Sequence, residues 1–417
     1  MVERHERGNL PESVDGVHSG GQDDLRSGLD WTSSYCSAPV TTTGPISGET
    51  LLRQKPLLAA VGAACSALLL ATPLSASATP KVPTASLVSD NLAAPFNIAF
   101  NGRGVYVADG GLNEVVRVRR DGTLKPIVSE APGTSGLAFS KYGQYMAYTT
   151  TEGGGGEPPG PITASGLNIK KRHKSPVYAD TLAYEKANNP DQHVRYGVRN
   201  PPQCLKDALG DQASYKGLVD SHAYSVARYK NKWVVADAGG NDLLWVTNRG
   251  KISTLAVLPS QPLKITPENA SAQGIPKDCA VGRTYKYEAV PTDVEVGRDG
   301  YLYVTTLPGG PEDPSLGARG KVYRVNPHNG HIKLVATGFA GATNLATGKH
   351  GKIFVAELFG GQISVVKHGK AHKYLSLPGV VAVEIDRSGA LWAATLGNED
   401  PPAPGTLVKI VKVRANP

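Results

Sequence analysis

The chain has 417 residues, ample for a large buried core, with a formal net charge of +8, 6 % aromatic residues, 48 glycines and 31 prolines. That balance argues against a helical bundle and suits many short strands joined by tight turns. No stretch sustains helical periodicity, and the apolar residues come in short runs bounded by Gly, Asp, Asn and Pro.

Residues 1–50 are polar and acidic, with no periodic apolar pattern. Residues 51–78 read as a secretory signal peptide. Arg53 and Lys55 form its positive end, Leu57 to Leu70 its apolar stretch, and Ala76-Ser77-Ala78 its cleavage site. The apolar stretch is too short to span a bilayer comfortably. Gly62-Ala63-Ala64 before Cys65 does not match a lipid-attachment site. A signal peptide normally opens a chain, so residues 1–50 are expected to be a mis-called start, translation beginning near Leu51 or Leu52. The alternative is a disordered extension. Residues 79–417 are the expected mature domain, secreted to the extracellular space, with no membrane span.

From here one pattern recurs six times: an apolar strand, a Gly-containing turn, then a strand ending apolar–Ala/Thr–polar. The second strands are Val105 to Asp109, Tyr145 to Thr149, Trp233 to Asp237, Leu302 to Thr306, Ile353 to Glu357 and Leu391 to Thr395. Their upstream partners begin at Asn97, Gly136, Ser225, Asp293, Asn344 and Ala382. Asp121-Gly122 and Asn329-Gly330 are hairpin turns leading into outer strands. Four-stranded units of this size, repeated radially, predict an all-β fold, a six-bladed β-propeller. One small twisted sheet cannot bury both faces, whereas blades stacked about an axis can. The last unit stops at its third strand, Leu407 to Val411, and Ala85 to Val88 is expected to supply the fourth and close the ring.

Two loop insertions interrupt the repeat, Gly153 to about Val219 and Leu263 to about Glu288. They hold Cys204 and Cys279, the two cysteines left after signal cleavage, and export predicts a disulfide between them. The one dense basic run, Lys170-Lys171-Arg172-His173-Lys174, is ordinarily a solvated loop. Its functional alternative is a docking patch for an anionic polymer such as a cell-wall phosphate polymer. It lacks interleaved aromatics, which argues against specific nucleic-acid recognition.

PFNIAFNGRGVYVADGGLNEVVRV resembles an NHL-type propeller repeat. SHAYSVARYKNKWVVADAGGNDLLWV, VPTDVEVGRDGYLYVTTLPGGPEDPSLGARGKVYRV and ATNLATGKHGKIFVAELFGG resemble the ScyD/ScyE family of exported actinobacterial and cyanobacterial proteins, over essentially all of residues 80–413. The resemblance implies an exported propeller and brings no established catalytic residues.

Propeller ligands commonly bind where the innermost strands begin. Asn97, Asp293 and Asn344 hold such positions in three different blades, and His222 lies just before a fourth. Their hard oxygens suit Ca²⁺, loosely as in gluconolactonase-like hydrolases, although the metal-binding Glu of that family has no clear counterpart. Glu295 and Glu384 sit two places further along their strands. The bland reading is hydrogen bonding to channel water and neighbouring backbone. Asp109 with Asn113, and Asp237 with Asn241, recur at equal spacing and read as turn-stabilising pairs. No nucleophile elbow, CxxC, HExxH or phosphate-binding loop is present. The expected function is a monomeric, non-enzymatic binding or scaffold protein. It would act through its loop face and channel on an anionic cell-wall polymer or a small molecule. The alternative is a calcium-dependent hydrolase or lactonase.

Overall fold

A computed structural model describes residues 81–154, 160–399 and 402–414. The readings that concern residues 1–50, the export segment 51–78 and its cleavage site lie outside them. Among the described residues no helix is long and apolar enough to cross a membrane.

Six four-stranded antiparallel blades form a ring, and in one adjacent pair the outer strands meet through a single parallel pairing, Thr337 with Lys370, to make one eight-stranded sheet. Blade 1 comprises Pro95–Asn101, Gly104–Asp109, Glu114–Val118 and Leu124–Val128. Blade 2 comprises Leu137–Phe139, Tyr145–Gly153, Ile162–Lys171 and Val177–Asp180, and blade 3 Ala223–Tyr229, Lys232–Asp237, Asp242–Thr247 and Ile252–Val257. Blade 4 comprises Pro291–Val296, Leu302–Thr306, Gly320–Val325 and Ile332–Phe339, and blade 5 Ala342–Thr347, Ile353–Glu357, Gln362–Lys367 and Lys370–Ser376. Blade 6 takes Val380–Ile385, Leu391–Thr395 and Gly405–Arg414 from the C-terminal end and Lys81–Leu92 from the N-terminal end. The last two pair antiparallel, with Ala85 opposite Ile410 and Leu87 opposite Val408. The expected closure is therefore present, and blades 6 and 1 meet as the other neighbours do.

Packing follows from the alternation of each strand. At the seam Ile98, Val107 and Val116 of blade 1 pack with Trp392, Ala394 and Leu407 of blade 6. Between blades 3 and 4, Val234 and Trp245 pack with Leu302, Val304 and Val325. Each large side chain so buried contributes about 1.5–3 kcal/mol.

Polar latches fix the linkers between blades. Asp109 accepts the Ala93 and Ala94 N–H groups, both at 2.9 Å, just ahead of its own blade's first strand. Asp237 does the same with His222 N–H at 2.6 Å, and Glu357 with Ala340 N–H at 2.7 Å. The paired asparagines reach the approach to the next blade: Asn113 accepts Gly133 N–H, and Asn241 accepts Ala289 and Val290 N–H. Both asparagines adopt left-handed backbone, φ 53° and 55°. The structural reading of these pairs stands.

The insertions differ from expectation in extent and in kind. Residues 162–180, placed in the first insertion from sequence, are the third and fourth strands of blade 2. The run of glycines and prolines at 153–161 hid the return of the repeat. The rest is a folded module and not a pair of loops. Arg195–Val198 and Ser214–Lys216 from the first insertion join Gln261–Lys264 and Thr284–Tyr287 from the second in one four-stranded sheet. The module has its own apolar core, including Val198, Leu205, Ile265, Ile275 and Tyr285, and carries the Cys204–Cys279 disulfide.

Two predictions follow from closure and from the module. Pro83 is accommodated on the edge strand, so its backbone nitrogen faces away from the partner and that of Ser86, out of phase with it, faces toward it. Ser86→Pro should therefore cost about 1–3 kcal/mol and lower Tm, whereas Ala85→Pro, in phase with Pro83, should cost much less; scanning calorimetry separates them. The disulfide closes a loop of 75 residues, for which chain entropy gives about 4 kcal/mol as an upper figure. Reduction should expose residues 181–220 to proteolysis before it melts the blades, as limited proteolysis with peptide mapping would show.

Candidate functional site

Asn97, Asp293 and Asn344 lie on inner strands and His222 just before one, and the Asp293 and Asn344 side chains link blades. Asp293 is buried; its Oδ1 accepts the Ser225 hydroxyl of blade 3 at 2.5 Å and its Oδ2 accepts Leu345 N–H of blade 5 at 2.9 Å. Asn344 Oδ1 accepts Val383 N–H of blade 6 at 2.9 Å. The preceding position follows the same rule. Ser135, Thr292 and Thr343 donate their hydroxyls to the carbonyls of Tyr224, Ala342 and Val381, each at 2.8 Å and each on the next blade. A bulge just before Asn97, Ser225, Asp293, Asn344 and Ala382 aims these side chains along the ring.

Calcium takes six to eight oxygen ligands. Asp293 and Asn344 already spend acceptor oxygens on blade contacts, and of the three candidates Asn97 alone keeps a buried Oδ1 without a hydrogen-bond partner. Among the described residues no group of three or more His, Cys, Asp or Glu is placed to hold a metal. These residues do not fit a ready-made calcium site.

Further along the channel Glu295 and Glu384 hydrogen-bond to each other. Burial, and for Glu384 the Glu295 charge, raise both carboxyls, Glu384 furthest, so the pair shares a proton. Asp293 is pushed up to about 7, by burial first and the Glu295 charge second. The loop-side mouth is covered by apolar side chains. Phe96 of blade 1 meets Tyr224 of blade 3 with ring centroids 6.0 Å apart, although those blades are not neighbours. Val290, Leu307 and Val381 belong to the same cluster.

A wide cleft lies elsewhere, between the module and the ring. It is a cavity of about 1290 Å³. Tyr215, Tyr285 and Tyr287 line one side, Asp220, His222 and Glu288 another, and the exposed Leu218 and Val219 form a lip. Of the sequence candidates, His222 is in this cleft; Asn97, Asp293 and Asn344 are not among its lining residues. The Tyr285 hydroxyl donates to the Gln212 carbonyl at 2.9 Å, so the two insertions are stitched beside the cavity. At Gly239 the backbone passes so close to the Asp220 carbonyl that no side chain fits.

Behind the cleft is a group of buried carboxyls, of which the sequence had singled out Asp237 alone, as a turn-stabilising residue. Glu185, Asp191, Asp237 and Asp242 are each 1–2 % exposed. Asp237 is well satisfied, accepting from Ser221, His222 and Gly240. Asp191 accepts the Tyr196 hydroxyl at 2.8 Å and the Asn241 amide at 3.2 Å. Neither of the two ion pairs among the described residues, Arg324–Asp299 and Lys409–Asp386, touches this group. Burial, then the charges of Asp237 and Asp191, push Glu185 up to about 9. Burial, then Asp237 and Glu185, hold Asp242 well above the carboxylate range. Glu288, at the cleft wall, is pushed up to about 7 by burial foremost, against the hydrogen bond from Tyr215. At neutral pH the group therefore retains protons. For the other members the sequence signal is Asp242, a carboxylate opening the apolar run Leu243-Leu244-Trp245-Val246.

No family model matches the chain, and no curated protein does. Several solved structures align over most of the chain at low identity. A streptogramin B lyase is 15 % identical, with 80 % of this chain and 98 % of that one covered and a TM-score of 0.43. Virginiamycin B lyase from Staphylococcus aureus is 13 % identical, with 81 % and 90 % covered and a TM-score of 0.42. The PQQ-bound aldose sugar dehydrogenase from Streptomyces coelicolor is 12 % identical, with 80 % and 100 % covered and a TM-score of 0.47. Likeness at this level does not carry an activity across. The class these observations define is a six-bladed propeller with a disulfide-bearing module over its loop face.

The carboxyl group makes stability depend on pH in a stated direction. A carboxyl raised on folding releases its proton more readily when unfolded, so its contribution is fully present below the unfolded value near 4.5 and is lost as pH rises. For Glu185 that window runs from about 4.5 to about 9. Tm should fall across it, and Glu185→Gln should flatten the fall; each pK unit corresponds to about 1.4 kcal/mol. A Tm that rises from pH 6 to pH 9 would contradict the assignment.

Proposed function

We propose that this chain is an exported propeller of the ScyD/ScyE type that binds a small uncharged or cationic organic molecule, bearing hydroxyl or amine donors, in the cleft beneath its module, without turning it over. The makeup of the cleft carries the reading. Tyrosines and an apolar lip offer surface for a carbon skeleton, and Asp220, His222 and Glu288 offer polar partners. Asp211, Asp220 and Glu288 outweigh Lys186 on the lining, which disfavours a multiply charged anion there. The family reading rests on the long strings quoted above. Export rests on the signal-like segment and agrees with a disulfide, which persists best in an oxidising compartment.

Calorimetric titration with glucose, glucosamine and maltose tests binding. At least one should bind, and Glu288→Gln or Tyr215→Ala should weaken it by about tenfold, roughly 1.4 kcal/mol, while Asn97→Ala in the channel leaves it unchanged. Loss of binding in the channel variant alone would sink the proposal. One observation favours a catalytic reading instead. A carboxyl at about 7 in a cleft is matched to general acid–base work at neutral pH. Turnover of a lactone and ester panel, lost in Glu288→Gln, would replace binding by catalysis; calcium-dependent turnover lost in Asp293→Ala would place the chemistry in the channel. For export, N-terminal sequencing of secreted protein should begin at Thr79, and a cell-associated chain retaining residues 1–50 would contradict the start-site reading.

A further inference from the structure

A second cavity, of about 710 Å³, opens on the opposite face of the disc, at the seam between blades 6 and 1. The turns that line it connect first to second and third to fourth strands, at the far end of the blades from the module. Its floor is apolar: Trp392 packs edge-to-face on Phe100 with ring centroids 5.7 Å apart, flanked by Val105 and by Val88 of the N-terminal strand. Its rim is basic, carrying Arg103, Arg119, Arg120, Arg387 and Lys409 against one carboxylate, Asp386.

That carboxylate is already engaged. Asp386 Oδ1 accepts Ser388 and Ala390 N–H at 2.8 and 3.0 Å, and Oδ2 accepts the Trp392 indole N–H at 3.0 Å and faces Lys409 at 3.8 Å. Asp386 thus balances Lys409 and braces the floor. The four arginines form no ion pair among the described residues. Arg119 and Arg387 make one long bond each, at 3.4 Å to the Thr123 hydroxyl and the Lys141 carbonyl, and so keep most of their donors. Tight turns fix where they sit: Gly122 N–H bonds to the Arg119 carbonyl and Gly389 N–H to the Asp386 carbonyl. The four guanidinium groups line the rim of the apolar floor, with Asp121 beside Arg119 and Lys409 over the Trp392 ring at 5.1 Å, which leaves the guanidinium groups in excess of the carboxylates. The planar guanidinium forks match the paired oxygens of phosphate and carboxylate.

We infer that this seam groove binds an organic polyanion, a molecule with an aromatic or apolar body over Trp392 and Phe100 and two or more phosphate or carboxylate groups on the arginine rim. The site is separate from the module cleft and independent of what that cleft holds. It joins blade 1 to both halves of blade 6, so a ligand there also braces the ring closure.

Titration calorimetry on the full chain tests this with three probes: ATP, benzene-1,3,5-tricarboxylate and inorganic tripolyphosphate. ATP or the tricarboxylate should bind at one site about tenfold or more tighter than tripolyphosphate, which lacks the body, and the tighter of the two identifies the head group. Arg119→Gln/Arg120→Gln/Arg387→Gln should weaken that binding by about tenfold or more. Lys170→Gln/Lys171→Gln/Lys174→Gln removes as many charges elsewhere and should change it less than about twofold. Circular dichroism checks that both variants fold, and the bound probe should raise Tm. Equal losses in the two variants, tripolyphosphate binding as tightly as ATP, or no probe binding below about 1 mM would overturn the inference.

Discussion

Everything in this molecule depends on one antiparallel pairing, Lys81–Leu92 against Gly405–Arg414. Six twisted sheets bury both faces only if the stack closes, and closure is made by the two ends of the chain. Without that pairing, blade 6 would lack its outer strand and the seam core of Ile98, Val107, Trp392 and Leu407 would lose its cover. The bulged inner strands add a second constraint. They turn Thr292, Thr343, Asp293 and Asn344 toward the following blade, and Ser135, just ahead of the unbulged inner strand of blade 2, reaches blade 3 in the same way, so polar residues near the axis hold the angle between sheets.

That use of the inner strands bears on where function sits. In the channel the hard oxygens of Asp293 and Asn344 hold blades together, and Phe96, Tyr224 and their neighbours pack at its loop-side mouth. The module has a different character. It has its own core and its own covalent tie, and it rests on a layer of buried carboxyls with few donors. Burying unpaired carboxyls is costly unless protons stay on. Asp293, Glu295 and Glu384 in the channel are a second such group, and the one beneath the module is the one that lies beside an open cavity.

Much of the fold was legible because a repeat states its strands six times over. Trp233 to Asp237 and Ile353 to Glu357 mark equivalent second strands without any help from their neighbours. The closing strand was legible because the last blade was one strand short. The module was not, since its strands are three or four residues long and come from segments separated by blade 3, so no local period announces them. The return of the repeat at Ile162–Lys171 was masked by the glycines and prolines before it. The site was least legible. Asn97, Asp293 and Asn344 drew attention as hard oxygens at the start of the innermost strands of three blades, yet that signature fits an inter-blade hydrogen bond as well as a ligand. Glu185, Asp191 and Glu288 lie in irregular sequence, and only the folded module brings them to blade 3.

The proposed ligand site is the module cleft and not the channel. A crystal structure after soaking with a fragment set of neutral polyols and amines tests it most directly. The account predicts electron density bounded by Tyr215, Tyr287 and Glu288, with the channel holding only water. Fragments ordered in the channel beside Asn97 or Asp293, with the cleft empty, would contradict it.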